Sequence, residues 1–164
     1  CSSDLSRLDR SKIADFDLHQ GIDSSLRIAA QQLKNRVVKK EYGKIPNVTC
    51  SPSQVNQVIL NLLSNPAQAT AEGTGTIVVR TSQPDAGHVA IDVADNGSGI
   101  SPEILPKIFD PFFTTKAVGK GTGLGLSICY KIAQNHGGRL EGQSKKGVGT
   151  RVTLVLPLKS APRA

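Results

Sequence analysis

Two glycine clusters bracket the residues best suited to chemistry. Asp95 stands where an alternating apolar run, residues 88–94, passes into Asn96-Gly97-Ser98-Gly99, so its carboxylate sits at a strand end beside a tight turn. Gly121-Thr122-Gly123-Leu124-Gly125 runs directly into the helical pattern that begins at Leu126. The amides of such a loop and the following helix N-terminus face the same space, which attracts phosphate. A third group is unusual for its neutrality. Gln57, Asn61, Asn65 and Gln68 recur at helical spacing, and no charged residue occurs between Lys44 and Glu72. They share one helix face. Neutral oxygen donors there suit a hydrated metal ion held without ion pairing, or make an amide-rich surface; spacing alone leaves both open.

Several elements must position these groups. Residues 1–10 read as the end of a helix that begins upstream, and residues 12–16 as a short strand. Asp17 and Gln20 form a capping box for a helix whose Leu18, Ile22, Leu26, Ala29 and Leu33 line one face. His19 falls on its polar side and reads as a solvated histidine. Strands follow at 37–42 and 48–50. Ser51 opens the amide-bearing helix, with Pro52 in its first position and Gln54 completing a second capping box. Strands at 76–82 and 88–94 are joined by turn-forming residues and pair as a hairpin. The third helix ends at His136-Gly137-Gly138, where a histidine suits the helix dipole and Gly137 takes the left-handed cap. A closing hairpin spans residues 139–156. This order predicts an α/β (α+β) two-layer sandwich, one mixed sheet of about five strands covered on one face by three helices. Residues 109–120, rich in Gly, Thr and Lys, read as a mobile flap.

Composition removes several function classes. The 164 residues, 38% hydrophobic, suit one domain with a core, and no apolar run is long enough to span a membrane. The net charge of +7 invites nucleic acid, but two tyrosines and four phenylalanines supply no stacking surface, so direct nucleic-acid binding is not expected. Cys1, Cys50 and Cys129 have no metal-ligand spacing and no even pairing, which favours a reducing, cytoplasmic setting. Beginning at Cys1 and lacking methionine, the chain reads as a piece of a longer protein, with any membrane anchor elsewhere. No P-loop signature occurs, and the second glycine cluster only partly matches a dinucleotide fingerprint.

Five blocks in order, NLLSNPAQA (61–69), DNGSGI (95–100), FDPFFTTK (109–116), GTGLGLS (121–127) and GVGT (147–150), closely resemble the catalytic ATP-binding domain of bacterial sensor histidine kinases. That domain shares its Bergerat-type fold with gyrase, large heat-shock ATPases and mismatch-repair ATPases. FDPFFTTK with GTGLGLS resembles the kinases, especially the nitrogen-regulation-like group. The resemblance implies residues 1–11 as the end of an upstream dimerisation-hairpin helix or linker, 12–158 as the ATP-binding domain with its mobile lid, and 159–164 as a tail.

Carried over, it implies ATP and Mg2+ as ligands. Asn65 would coordinate magnesium and act in transfer, with Asn61 supporting the nucleotide. Asp95 would accept from the adenine amino group, and a carboxylate, an acceptor only, would repel the guanine carbonyl, so ATP is expected over GTP. Gly97, Gly99 and Ile100 would lie against the base, with Thr150 sharing the adenine-side contacts. Gly121, Thr122, Gly123, Leu124, Gly125 and Leu126 would surround the phosphates, with Lys116 and Lys120 closing from the flap. Gln68 stands where many relatives carry lysine. Taken without the other blocks, Asp95 reads better as a turn former, and Phe112 and Phe113 read as anchors of the flap.

The implied reaction is phosphoryl transfer to a histidine on a separate dimerisation and phosphoacceptor domain, serving a response regulator in two-component signalling. His19, His88 and His136 lie outside any H-E or H-D acceptor block, so this piece is expected to turn over little alone and to be monomeric, its parent a homodimer. A hydrolytic relative would need a general base on the second helix, which has none before Glu72. Pro66 departs from the family pattern. It removes an amide and crowds the Leu62 carbonyl, so the helix is expected to kink or end there, or the metal site to be altered. The alternative function is therefore a catalytically impaired nucleotide-binding module acting through lid-dependent protein contacts.

Overall fold

The computed structural model describes residues 13–70, 73–100, 102–103, 105–108 and 125–159. Expectations for residues 1–12 and for the flap at 109–120 lie outside the described residues.

Among the described residues, seven strands and three helices follow one another as β1 (Ala14–Phe16), α1 (Leu18–Ile28), β2 (Val37–Tyr42), β3 (Val48–Cys50), α2 (Pro52–Ala69), β4 (Thr76–Asp85), β5 (His88–Asp95), α3 (Gly125–Asn135), β6 (Arg139–Lys145) and β7 (Gly149–Pro157), with a 3-10 turn at Leu105–Lys107. The main sheet has the order β2-β4-β5-β7-β6. Only β2 and β4 run parallel; the other neighbours are antiparallel. The three helices pack against this mixed five-stranded sheet. The expected single sheet is joined by a short antiparallel ladder of β1 and β3.

Alternation along the strands decides which residues meet the helices. Ile77 and Val79 of β4, Val89, Ile91 and Val93 of β5, and Val152, Leu154 and Leu156 of β7 belong to one buried cluster. Leu18 and Ile22 of α1, Val55, Ile59 and Leu62 of α2, and Cys129 and Ala133 of α3 complete it. The opposite parity carries charge: Arg151 pairs with Asp92 at 3.1 Å, Arg80 with Glu41 at 2.6 Å and Arg139 with Glu141 at 2.6 Å. The apolar row is thus held on the helical side, since a one-residue slip would exchange the faces.

Three local expectations are revised. α1 ends at Ile28, yet Ala29 and Leu33 are buried because one further helical turn, Leu33 N–H to Ala29 O at 3.0 Å, keeps both inward. His19 is not a solvated histidine: its ring stacks on Tyr42 at 4.2 Å, and Nε2 lies 2.7 Å from Thr81 Oγ1. Edge strand β2 brought Tyr42 to α1, a contact between elements that periodicity along α1 does not contain. α2 neither ends nor loses its helical assignment at Pro66; it continues to Ala69. Beyond it, Arg36 donates to the Thr70 carbonyl at 2.9 Å and Thr70 Oγ1 at 2.9 Å, placing a cation at a helix C-terminus whose own last turn has none.

Helix ends were largely legible. Asp17 Oδ1 accepts from the amides of His19 (3.0 Å) and Gln20 (3.4 Å). Gly137, at φ 76°, and Gly138 close α3 by donating to the carbonyls of Gln134 and Ala133, both at 2.9 Å, the paired bonds of a Schellman cap. The second capping box is different. Gln54 Oε1 is buried without a partner among the described residues, and the Ser51 amide donates to His136 Nε2 at 3.3 Å.

Candidate nucleotide site

Registry brings Asp95 and Thr150 together. They are direct partners across β5 and β7, and Thr150 is in turn opposite Ser144 across β7 and β6. All three have the parity of Val93, Val152 and Gly142, one step further along the sheet. The core-facing rows therefore end in a polar row. A depression of about 330 Å³ lies at this end of the sheet, lined by Asp95, Ser144 and Thr150 and, from the opposite parity, by Gln143, Lys145 and Arg151, so it wraps around the sheet's end.

Asp95 is half-buried, and burial pushes its carboxyl above the ordinary 3.8, opposed by the backbone amides of Gly97 and Thr150. The Gly97 amide donates to Oδ1 at 2.8 Å. Asn96 fastens the turn from its other side, accepting from the Thr76 amide at 2.8 Å and donating to the Thr74 carbonyl at 3.0 Å. Turn chemistry and a ligand-facing carboxylate are thus parts of one arrangement. Nothing in the turn opposes the other.

The glycine loop is clamped to the β6–β7 hairpin. Gly147 donates to the Ser98 carbonyl at 2.7 Å, and the Ile100 amide donates to Ser144 Oγ at 2.7 Å. Gly99 has φ 75°, and a Cβ there would overlap the Lys145 carbonyl. At Gly149 a Cβ would overlap the Asp95 carbonyl oxygen. Two glycines therefore permit a backbone approach that no other residue allows.

Ser144 was missing from the site read in the sequence. It accepts from Ile100, donates to the Gly149 carbonyl at 2.9 Å and lies 2.9 Å from Thr150 Oγ1. A lone serine in a hairpin carries no local signal, although its even spacing from Thr150 across a tight turn would have placed the two opposite each other.

The other expected residues divide by element. Asn61 is half-buried on α2 with its side chain beside the Cys129 thiol of α3, whose Sγ donates to the Val58 carbonyl at 3.9 Å. Burial pushes the Cys129 thiol up to about 12. Asn65 and Gln68 are within the continuous helix, so Asn61 and Asn65 stand one turn apart; the side chains of 65–69 lie outside the described residues. Gly125 opens α3 and Leu126 packs partly into the core. Lys116, Lys120, Gly121, Thr122, Gly123 and Leu124, with Phe112 and Phe113, lie outside the described residues.

The donor set fits a purine nucleotide: a desolvated acceptor at one end, a backbone kept free of side chains around it, and a helix N-terminus at Gly125. Residues 50–160 match the family model described as histidine kinase-, DNA gyrase B- and HSP90-like ATPase. The chain belongs to this ATPase family. Among its relatives, sensor histidine kinase ZraS of Escherichia coli (strain K12) is 39% identical over 145 residues, covering 87% of this chain and 30% of ZraS. The chain thus spans about a third of that relative's length. The solved catalytic domain of histidine kinase ThkA superposes with a TM-score of 0.81 at 30% identity, covering 90% of this chain and 97% of that domain. ThkA has also been solved in complex with response regulator protein TrrA, matching with a TM-score of 0.75 at 28% identity over 89% of this chain and 42% of that one. The ATPase family assignment and the histidine-kinase relatives agree with the resemblance carried by the five sequence blocks.

Proposed function

We propose that this chain binds ATP with magnesium and presents the terminal phosphoryl group to a histidine on a separate phosphoacceptor domain of the same protein, within two-component signalling. The observation that carries this is the half-buried Asp95 carboxylate, raised by desolvation and set in a glycine loop at the end of β5, in a fold that covers 97% of the ThkA catalytic domain. In this reading residues 1–11 are the end of the dimerisation hairpin or its linker, 12–158 the ATP-binding domain and 159–164 a tail. The parent is a cytoplasmically facing homodimer, whether or not it is membrane-anchored, and its phosphoryl group passes on to a response regulator, the class of protein that ThkA was solved with.

Asp95 accepts from the exocyclic amino group of adenine, and Gly97, Gly99 and Ile100 leave the base room to lie against the loop. Asn65 would hold the metal through its neutral amide oxygen, and Asn61, one turn earlier on α2, would support the nucleotide. Bound magnesium would neutralise charge on the phosphate oxygens. Lys116 and Lys120 add positive charge from the lid, and the glycines at 121, 123 and 125 give the phosphates backbone amides. Gln68 contributes only an uncharged contact. Such a site works by positioning and charge neutralisation, the main requirement of phosphoryl transfer.

Calorimetric titration with a non-hydrolysable ATP analogue tests the reading. The chain binds the analogue more tightly with magnesium than without, and Asp95→Asn weakens binding about 10–100-fold, the worth of one charge-assisted hydrogen bond. Undiminished binding by Asp95→Asn, or none by the unsubstituted chain, refutes it. Added phosphoacceptor hairpin becomes labelled by radioactive ATP while the chain itself does not.

A further inference from the structure

We infer that Ser144 is a positioning residue that fixes the direction of the Thr150 hydroxyl, so that Thr150 offers a lone pair rather than a proton beside Asp95 and the pocket selects an amino-bearing purine. This rests on the nucleotide reading above and specifies how its base end discriminates.

Ser144 Oγ has one hydrogen and two lone pairs. The Ile100 amide, which can only donate, takes one lone pair at 2.7 Å. The Gly149 carbonyl, which can only accept, lies 2.9 Å away and takes the hydrogen. Directing that hydrogen elsewhere would leave two oxygen lone pairs facing each other at 2.9 Å. One lone pair therefore remains for Thr150 Oγ1 at 2.9 Å, and the hydrogen in that contact is the one on Thr150. With its proton committed to Ser144, Thr150 retains only acceptor capacity. Asp95, its direct partner across β5 and β7, is an acceptor when ionised. Two acceptors side by side, directly or through a shared water, match the two hydrogens of an exocyclic amino group. They oppose a ring carbonyl.

Removing the Ser144 hydroxyl releases the Thr150 proton. That proton is then free to turn to the carboxylate of Asp95, its cross-strand partner, and a Thr150–Asp95 bond would consume the group that reads the base. The Ile100 amide and the Gly149 carbonyl lose a partner at the same time, so stability falls as well. Selectivity separates the two effects, because a general loosening weakens all nucleotides alike.

The test is calorimetry with ADP and with IDP, which carries a carbonyl in place of the amino group. The unsubstituted chain favours ADP. Ser144→Ala lowers the ADP-to-IDP affinity ratio about tenfold, Ser144→Thr restores it, and adding Thr150→Val to Ser144→Ala causes no further fall, because the proton at fault is gone. An unchanged ratio in folded Ser144→Ala overturns the inference while ADP binding by the unsubstituted chain leaves the nucleotide reading intact. Absence of ADP binding by the unsubstituted chain overturns both. Should Ser144→Ala fail to fold, Thr150→Val and Thr150→Ser decide: a ratio reduced in Thr150→Val and kept at the unsubstituted value in Thr150→Ser supports the inference, and an unchanged ratio in Thr150→Val overturns it.

Discussion

His136 Nε2 accepts a hydrogen bond from the Ser51 amide at 3.3 Å, tying the C-terminal end of α3 to the N-cap of α2. The ring's other nitrogen, Nδ1, donates to the Ile132 carbonyl at 2.9 Å. A carbonyl only accepts and an amide only donates, so this ring is neutral with its proton on Nδ1. The cationic partner of a helix dipole that the sequence suggested is therefore not what the fold uses. Burial favours the neutral form and holds the imidazole below its ordinary value.

That neutrality sets a pH dependence. Because the folded value lies below the unfolded 6.5, the unfolded chain binds more protons in between, and stability falls as pH drops below about 6.5. Urea unfolding at pH 7.5 and pH 5.5 checks it: the loss on acidification shrinks in His136→Gln. His136→Ala costs about 3 kcal/mol at neutral pH, because a buried volume and two bonds are removed together.

Asp95 titrates with the opposite sign. Its folded value is raised, so protonation relieves a buried charge and its cost to stability diminishes as pH falls through that raised value. Selectivity for ADP moves the other way, since a protonated carboxyl loses an acceptor. The ADP-to-IDP affinity ratio is expected to fall on acidification at a pH above the ordinary 3.8, and Asp95→Asn to show a low ratio without that dependence. Phosphate titration is common to both ligands and cancels.

Gly149→Ala forces a Cβ into the Asp95 carbonyl oxygen. Both atoms belong to paired strand backbones, so relief requires β5 and β7 to separate where the site is. The substitution costs about 3 kcal/mol and lowers nucleotide affinity with it. Gly87→Ala, where a Cβ would meet only an Asp85 carboxylate oxygen at 3.7 Å, is the control and leaves both nearly unchanged.

Pro66→Ala returns an amide to the Leu62 carbonyl within a helix that already runs to Ala69. Stability rises by up to about 3 kcal/mol. Magnesium dependence of analogue binding is expected in both forms, because helical spacing between Asn61 and Asn65 does not require the restored bond. A dependence found only in Pro66→Ala would establish the impaired-module alternative.

Much of this protein was legible along the chain. The strand patterns place β2 and β3 at their observed bounds, residues 37–42 and 48–50, and the Asp17 cap, the start of α2 at Pro52 and the Gly137 terminus lie where turn and cap chemistry put them, because these signals act over a few residues. Asp95 was visible for the same reason, as a carboxylate where a strand pattern meets glycines. Contacts made between elements were not. His136 displaced Gln54 at the Ser51 amide, Tyr42 covered His19, Arg36 reached the end of α2, and Ser144 came to lie in one row with Thr150 and Asp95. Partners separated by tens of residues meet only once strand order and register are set. Which lone pair or proton each then offers is decided by three-dimensional neighbours, not by residue type.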